Sequence, residues 1–131
     1  MMNPSDRKYS KEHEWAKTDA KGLVVVGITH FAQDQLGDIV YIDLPKVGAK
    51  IEQFKKLGEV ESVKAVSDIY TPVGGEVVEV NKAVSEKPET VNQDPFEKGW
   101  LVKIKAANAN ADLQKLMTAA QYDTFLKTEA H

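Results

Sequence analysis

The residue with the clearest chemical potential is Lys64, at the centre of Glu61-Ser62-Val63-Lys64-Ala65-Val66-Ser67-Asp68. It has an acid three positions before it and another four positions after it. A lysine amine can act as a nucleophile, form a Schiff base or take an acyl group. The flanking segments LGEVES and AVSDIY read as strands, which puts Lys64 at or near the tip of a hairpin. That turn holds no Gly, Asn or Pro, so it must suit ordinary L-residues, as a type I turn does. A hairpin tip keeps the ammonium in water on an extended stem. Neighbouring acids favour the charged form, which disfavours a buried catalytic lysine with a depressed pKa. Spacing alone is satisfied by a solvated turn lysine.

Other chemistry is sparse. The histidines are His13, His30 and His131, none at metal-ligand spacing to another. His13 lies between Glu12 and Glu14, but adjacent strand residues point to opposite faces and cannot easily converge on one ion, so no metal is expected. The chain has no G-x-S-x-G elbow, no phosphate-cradling loop and no G-x-G-x-x-G. It has no cysteine, which excludes disulfides, thiolate metal sites, iron–sulfur clusters and a cysteine nucleophile. With 17 Lys+Arg against 20 Asp+Glu and a net charge of −3, it is a poor match for duplex nucleic acid. No apolar run approaches the ~18–20 residues of a membrane helix. The N-terminal residues lack the apolar core of a secretory signal, so a soluble intracellular protein is expected. A chain of 131 residues reads as one domain, small for an enzyme that must build a deep pocket.

The elements that must position these residues are mostly short strands. A strand is expected over 9–17, a turn around Asp19–Gly22, and a strand buried on both sides in Leu23-Val24-Val25-Val26-Gly27-Ile28. Thr29 can cap a short helix over roughly 30–36, ended by Gly37 in a left-handed conformation. Residues 38–44 alternate, with Ile39, Tyr41 and Asp43 on one face and Val40, Ile42 and Leu44 on the other. Strands follow near 49–54, 57–63, 65–70 and 76–81. Residues 85–95 are polar with two prolines and read as a loop; residues 99–105 read as a half-buried strand. Helical spacing returns at the C-terminus, where Leu113, Leu116 and Met117 share a face and Thr118 and Gln121 form a possible capping box. Pro45-Lys46-Val47-Gly48 and Pro72-Val73-Gly74-Gly75 share the form P-x-x-G at an offset of 27 residues. They are either two ordinary turns or the mark of two related β units facing each other.

The segment ESVKAVSDIYTPVGGEVVEVN at 61–81 resembles the lipoyl-attachment segment of the glycine cleavage system H protein family. The likeness runs along nearly the whole chain. YSKEHEW at 9–15, VGITHFAQDQLGDIVYIDLPKVG at 26–48, NQDPFEKGWLVKIK at 92–105 and LMTAAQYDTFL at 116–126 resemble further blocks of that family in the same order. The resemblance implies a mainly β barrel-sandwich hybrid, similar to lipoyl and biotinyl carrier domains, with short peripheral helices. It implies a single lipoyl-carrier domain over 1–131, with a C-terminal helical segment at about 110–128. Lys64 is then the attachment site of a covalent lipoic acid, which would bring the sulfur that the chain lacks. Recognition by the lipoylating enzymes would rest on Glu61, Asp68, Gly48 and Gly75. Glu14 and Asp68, with Glu12 beside them, would line a cleft that holds the aminomethyl-loaded arm.

The implied function is carriage without independent catalysis. The arm takes the aminomethyl group from the pyridoxal-phosphate glycine decarboxylase (P protein) and presents it to the tetrahydrofolate-dependent aminomethyltransferase (T protein). It is reoxidised by dihydrolipoyl dehydrogenase (L protein), and a lipoate ligase or a lipoyl/octanoyl transferase installs it. A monomer is expected, with neither nucleic acid nor membrane as partner. It would be cytoplasmic in a bacterium, or in the mitochondrial matrix as a mature eukaryotic chain. The sequence departs from the family at Glu12, where a small polar residue is common, and at His30-Phe31 and Gln35, which unsettles any histidine contact from that helix to the arm. The competing readings are an H-like relay of lipoate to 2-oxoacid dehydrogenases, a biotin carrier and an unmodified β interaction module. Val63 and Ala65 do not fit the methionines that flank biotinyl lysines.

Overall fold

The computed structural model describes residues 3–129, so His131 lies outside the described residues. Within them, the strands are β1 (Lys8–Tyr9), β2 (Glu14–Thr18), β3 (Val24–Ile28), β4 (Ile39–Asp43), β5 (Lys50–Ile51), β6 (Lys56–Ser62), β7 (Val66–Tyr70), β8 (Gly75–Val80) and β9 (Val102–Ala106). The helices are α1 (His30–Leu36), α2 (Lys82–Glu86), α3 (Glu89–Gln93), α4 (Ala109–Gln114) and α5 (Ala119–Glu129). A six-stranded sheet has the order β1-β2-β3-β9-β8-β5, and a three-stranded sheet has the order β4-β6-β7. This is the mainly β, sandwich-like arrangement expected from the resemblance, although the described residues form no closed barrel. The core takes Val24, Val26 and Ile104 from the larger sheet and Ile39, Ile42, Val60 and Ile69 from the smaller one. β-Branched residues suit these pleated surfaces because their stiff side chains pack against cross-strand neighbours.

The 27-residue offset is structural. Shifted by it, β4 falls on β7, and both flank β6 in the smaller sheet. β5 falls within β8, and the two pair with Lys50 opposite Glu76 and Ile51 opposite Gly75. The P-x-x-G turns therefore carry the chain from one sheet to the other at two related corners.

Several expectations need correction. Residues 85–95 are not a loop, because Asn81 caps α2 by accepting from the Ala83 N–H and the chain then turns through Pro88 into α3. Val84 and Val91 are fully buried and pin these two short helices to the core. In β4 the register shifts between Ile39 and Tyr41, so Ile39 and Ile42 both face inward while Val40 and Tyr41 are exposed. A bulge resets the period of two, which simple alternation cannot anticipate. The segment 9–17 divides into β1 and β2 around a turn. The C-terminal helical pattern is broken between α4 and α5, where Met117 and Tyr9 exchange backbone hydrogen bonds at 2.8 Å. The capping box forms, with Thr118 N–H donating to Gln121 Oε1 at 2.9 Å and Gln121 N–H to Thr118 Oγ1 at 3.2 Å.

Candidate functional site

Lys64 is exposed at the tip of the β6–β7 hairpin. Neither Val63, Lys64 nor Ala65 has a positive φ, as the residue types require. The tip is held by Ser62, which is buried and closes the turn with its hydroxyl. Its Oγ accepts from Lys64 N–H at 3.3 Å and Ala65 N–H at 3.1 Å, and its own N–H donates to the Ala65 carbonyl at 2.8 Å. A serine at the first turn position can imitate a backbone carbonyl in this way. A second tether runs from Val63 N–H to the Asp38 carbonyl at 3.0 Å. The lysine stem leans over the end of α1, since a Cβ on Gly37 would lie 3.7 Å from Lys64 Cε.

Beside the tip, a cleft of about 640 Å³ runs between α1 and β7, lined among others by Glu12, His13, Phe31, Gln35, Asp68 and Tyr70. β7 is the edge strand of its sheet, and its Val66, Ser67, Asp68 and Tyr70 line this cleft. Glu12 and Asp68 share this cleft. Asp68 also pairs with Lys56, its oxygen 3.3 Å from the ammonium, and Lys56 reaches Glu59 at 3.1 Å. These exposed pairs are worth little to stability and leave the acids accessible.

Glu14 is different. It is only 2% exposed and is not among the residues that line the cleft. One carboxylate oxygen accepts from Ser10 Oγ at 2.5 Å and the other from Tyr70 N–H at 3.1 Å, so Glu14 ties β2 to the edge of β7. Burial pushes its carboxyl up to about 7, against the opposing pull of the Ser10 and Tyr70 hydrogen bonds. Glu14 is therefore no surface acid.

Glu61 lies on the exposed outer face of the small sheet, between Tyr41 and Val66. Gly48 and Gly75 belong to the two corner turns on the β5–β8 side, where Gly48 N–H donates to the Val77 carbonyl at 2.7 Å. They shape the fold rather than touch the tip. His13 is held at φ 72, a conformation uncommon for a non-glycine residue, and its Nδ1 is 2.8 Å from Tyr122 Oη. Among the described residues, no group of His, Asp or Glu is placed to hold a metal ion, and no helix is long and apolar enough to cross a membrane.

Sequence reasoning missed Ser62 and Tyr70 as parts of this region. Only Ser62 carried a readable signal, because serine is favoured at the first position of a tight turn.

Comparison with known proteins agrees with this geometry. Residues 7–129 match the family model described as glycine cleavage H-protein. The glycine cleavage system H protein of Symbiobacterium thermophilum is 52% identical over 124 residues, covering 95% of this chain and 95% of that protein. That of Bacillus cereus strain AH820 is 52% identical over 122 residues, covering 93% of this chain and 94% of the relative. The crystal structure of a glycine cleavage system H protein from Mycobacterium marinum superimposes with a TM-score of 0.85 at 36% identity, covering 98% of this chain and 100% of the other. With the fold, the exposed lysine tip and the whole-length likeness in agreement, the chain belongs to the glycine cleavage H-protein family.

Proposed function

We propose that Lys64 is the point at which lipoic acid is attached, and that the cleft between α1 and β7 receives the loaded arm. Membership of the family makes the chain a non-catalytic carrier component of the glycine cleavage system rather than an enzyme. The observation that carries the residue assignment is the tip itself. Lys64 is an exposed lysine on a turn fixed by Ser62 and Asp38, with its stem beside a cleft that holds two acids.

When attached, the lipoyl group supplies the disulfide that the cysteine-free chain cannot. The chain's own residues do the rest. The tip presents the amine for acylation. Glu12 and Asp68 offer carboxylates to a cationic amine by charge-assisted hydrogen bonds, and Phe31 and Leu36 offer apolar wall. Glu14 acts from behind by fixing the β7 edge at Tyr70. The outer face bearing Glu61 and Asp68 is the surface a lipoylating enzyme reads. The partners on this reading are the glycine decarboxylase, the aminomethyltransferase, dihydrolipoyl dehydrogenase and a lipoate ligase or transferase.

Intact mass before and after incubation with a lipoate ligase, ATP and lipoate tests the site. The wild type should gain one lipoyl group and Lys64→Arg none. Modification of the variant to the same extent would refute the assignment. Stimulation of glycine decarboxylation by the lipoylated protein in a reconstituted system tests the carrier role, and no stimulation would favour a lipoate relay.

A further inference from the structure

Asn92, on α3, is distant from the hairpin in sequence, yet its side chain is spent on α1 and on the loop after it that tethers the hairpin. Its Nδ2 donates to Gln33 Oε1 at 2.9 Å and to the Gly37 carbonyl at 2.9 Å. Its Oδ1 accepts from Ile39 N–H at 2.9 Å. Gly37 and Ile39 bracket Asp38, whose carbonyl takes the Val63 N–H at 3.0 Å. Gly37 is also the residue that the Lys64 stem overlies. The chain of contacts therefore runs from Asn92 to the 37–39 corner, from Asp38 to Val63, and so to Lys64.

The surroundings make this staple stiff. α3 is anchored by Val91, which is fully buried. Gln33 is itself held by the His30 carbonyl, to which its Nε2 donates at 3.1 Å. Gly37 sits at φ 80, where its N–H still closes α1 on the Gln33 carbonyl at 3.0 Å. Asp38 itself is exposed, so its carbonyl depends on its neighbours to hold it in place. The hydrogen bonds on either side of it supply that.

We infer that Asn92 is a positioning residue for the lysine tip: through Gly37 and Ile39 it aims the Asp38 carbonyl at Val63 and so sets the pose in which Lys64 meets a modifying enzyme. The inference rests on the proposal that Lys64 is the acylated residue, but its first test does not.

That test is amide hydrogen exchange on the unmodified protein. In Asn92→Ala the Val63 N–H should exchange about tenfold faster, the scale of losing one hydrogen bond, while Val26 and Ile104 keep their protection. Asn81→Ala is the control. Asn81 makes an equivalent staple, to the Lys98 carbonyl at 3.0 Å, the Trp100 carbonyl at 2.7 Å and Ala83 N–H at 3.1 Å, away from the tip. It should leave Val63 exchange at the wild-type rate. The second test is the rate of lipoylation by a lipoate ligase. Asn92→Ala should lower kcat/KM about tenfold, carried mainly by KM, because a tip in the wrong pose docks less well on the ligase while the docked amine is chemically unaltered.

If Asn92→Ala does not fold, Asn92→Asp decides by the same readings, since it keeps size and the acceptor for Ile39 while losing both donors. Unchanged Val63 exchange and KM in a folded variant would overturn the inference, as would equal effects from Asn81→Ala. Failure of both Asn92 variants to fold would show a structural residue and overturn it too. A wild type left unmodified at Lys64 would sink the functional proposal, while the exchange result would still decide the role of Asn92.

Discussion

The turns at 45–48 and 72–75 have the same Pro-x-x-Gly form, yet they are held in different ways. In the first, Gly48 has φ 98 and a Cβ there would meet nothing within 4 Å. Lys46 and Val47 are exposed, Val47 by 61%. In the second, Pro72 and Val73 are buried, and a Cβ on Gly75 would run into the Lys105 carbonyl oxygen and lie 2.8 Å from Ala106 Cα. Side chains from elsewhere hold the second turn as well. Asp112 on α4 accepts from Gly74 N–H at 2.8 Å, and Gln53 donates to the Pro72 carbonyl at 2.9 Å. The strand that enters it is clamped at Tyr70 by Glu14. The shared sequence form thus reflects a shared backbone requirement, while packing decides which glycine is irreplaceable.

The largest break in this comparison should come from Gly75→Ala. Overpacking against backbone that cannot yield, together with an unfavourable φ, should cost about 4 kcal/mol in chemical denaturation. A cost near that of a surface substitution would mean that the β8–β9 pairing can shift, and the contrast with Gly48 would fall.

Next is the clamp on the strand entering the second turn. Burial raises the Glu14 carboxyl from 4.5 to about 7, so the folded state binds a proton that the unfolded chain releases. Its contribution is fully present below pH 4.5 and is lost as pH rises through 7, to the extent of ~3 kcal/mol at most. Denaturation midpoints followed from pH 4.5 to pH 8 should fall for wild type and lose most of that slope in Glu14→Gln. An equal slope in the variant would assign the effect to other groups.

Asp112→Ala should cost about 2 kcal/mol, because it strands the Gly74 N–H and loosens α4 from the second turn. Thermal unfolding would show this, with an effect no larger than that of an exposed acid counting against the anchor. The smallest change should be Gly48→Ala, at about 1 kcal/mol, since only the left-handed φ resists a side chain. A loss comparable with that of Gly75→Ala would make the two turns equivalent after all.

Much of the architecture was legible because it rests on local chemistry. Thr29 caps α1, accepting from Ala32 N–H at 3.2 Å, and Gly37 ends it, as their types and spacing suggest. The β6–β7 hairpin follows from two strand-like runs around a turn of ordinary residues. The features that escaped depend on distant partners. The β4 bulge is set by pairing with β6, and α2 and α3 exist because Val84 and Val91 find the core, despite prolines and polar neighbours that suggest a loop. An acid on a strand reads as a surface group, so the burial of Glu14 had no sequence signature. Nor did Asn92, an asparagine in a polar stretch that any turn could use. Spacing alone left Lys64 an ordinary turn lysine, and only whole-length resemblance singled it out.

The position of β9 bears on the order in which the molecule is made. β9 lies between β3 and β8, with Val24 opposite Ile104 and Val77 opposite the same residue, so the larger sheet cannot close until β9, in the last third of the chain, has been synthesised. The Lys64 hairpin needs only near neighbours, such as Glu61 and Val66, to pair. Loop-closure entropy makes the first pairing slow and the second fast. On a ribosome, the hairpin carrying the lysine is complete while β3 and β8 still wait as bare edges, each exposed to pairing with the wrong chain until residue 106 has emerged and docked.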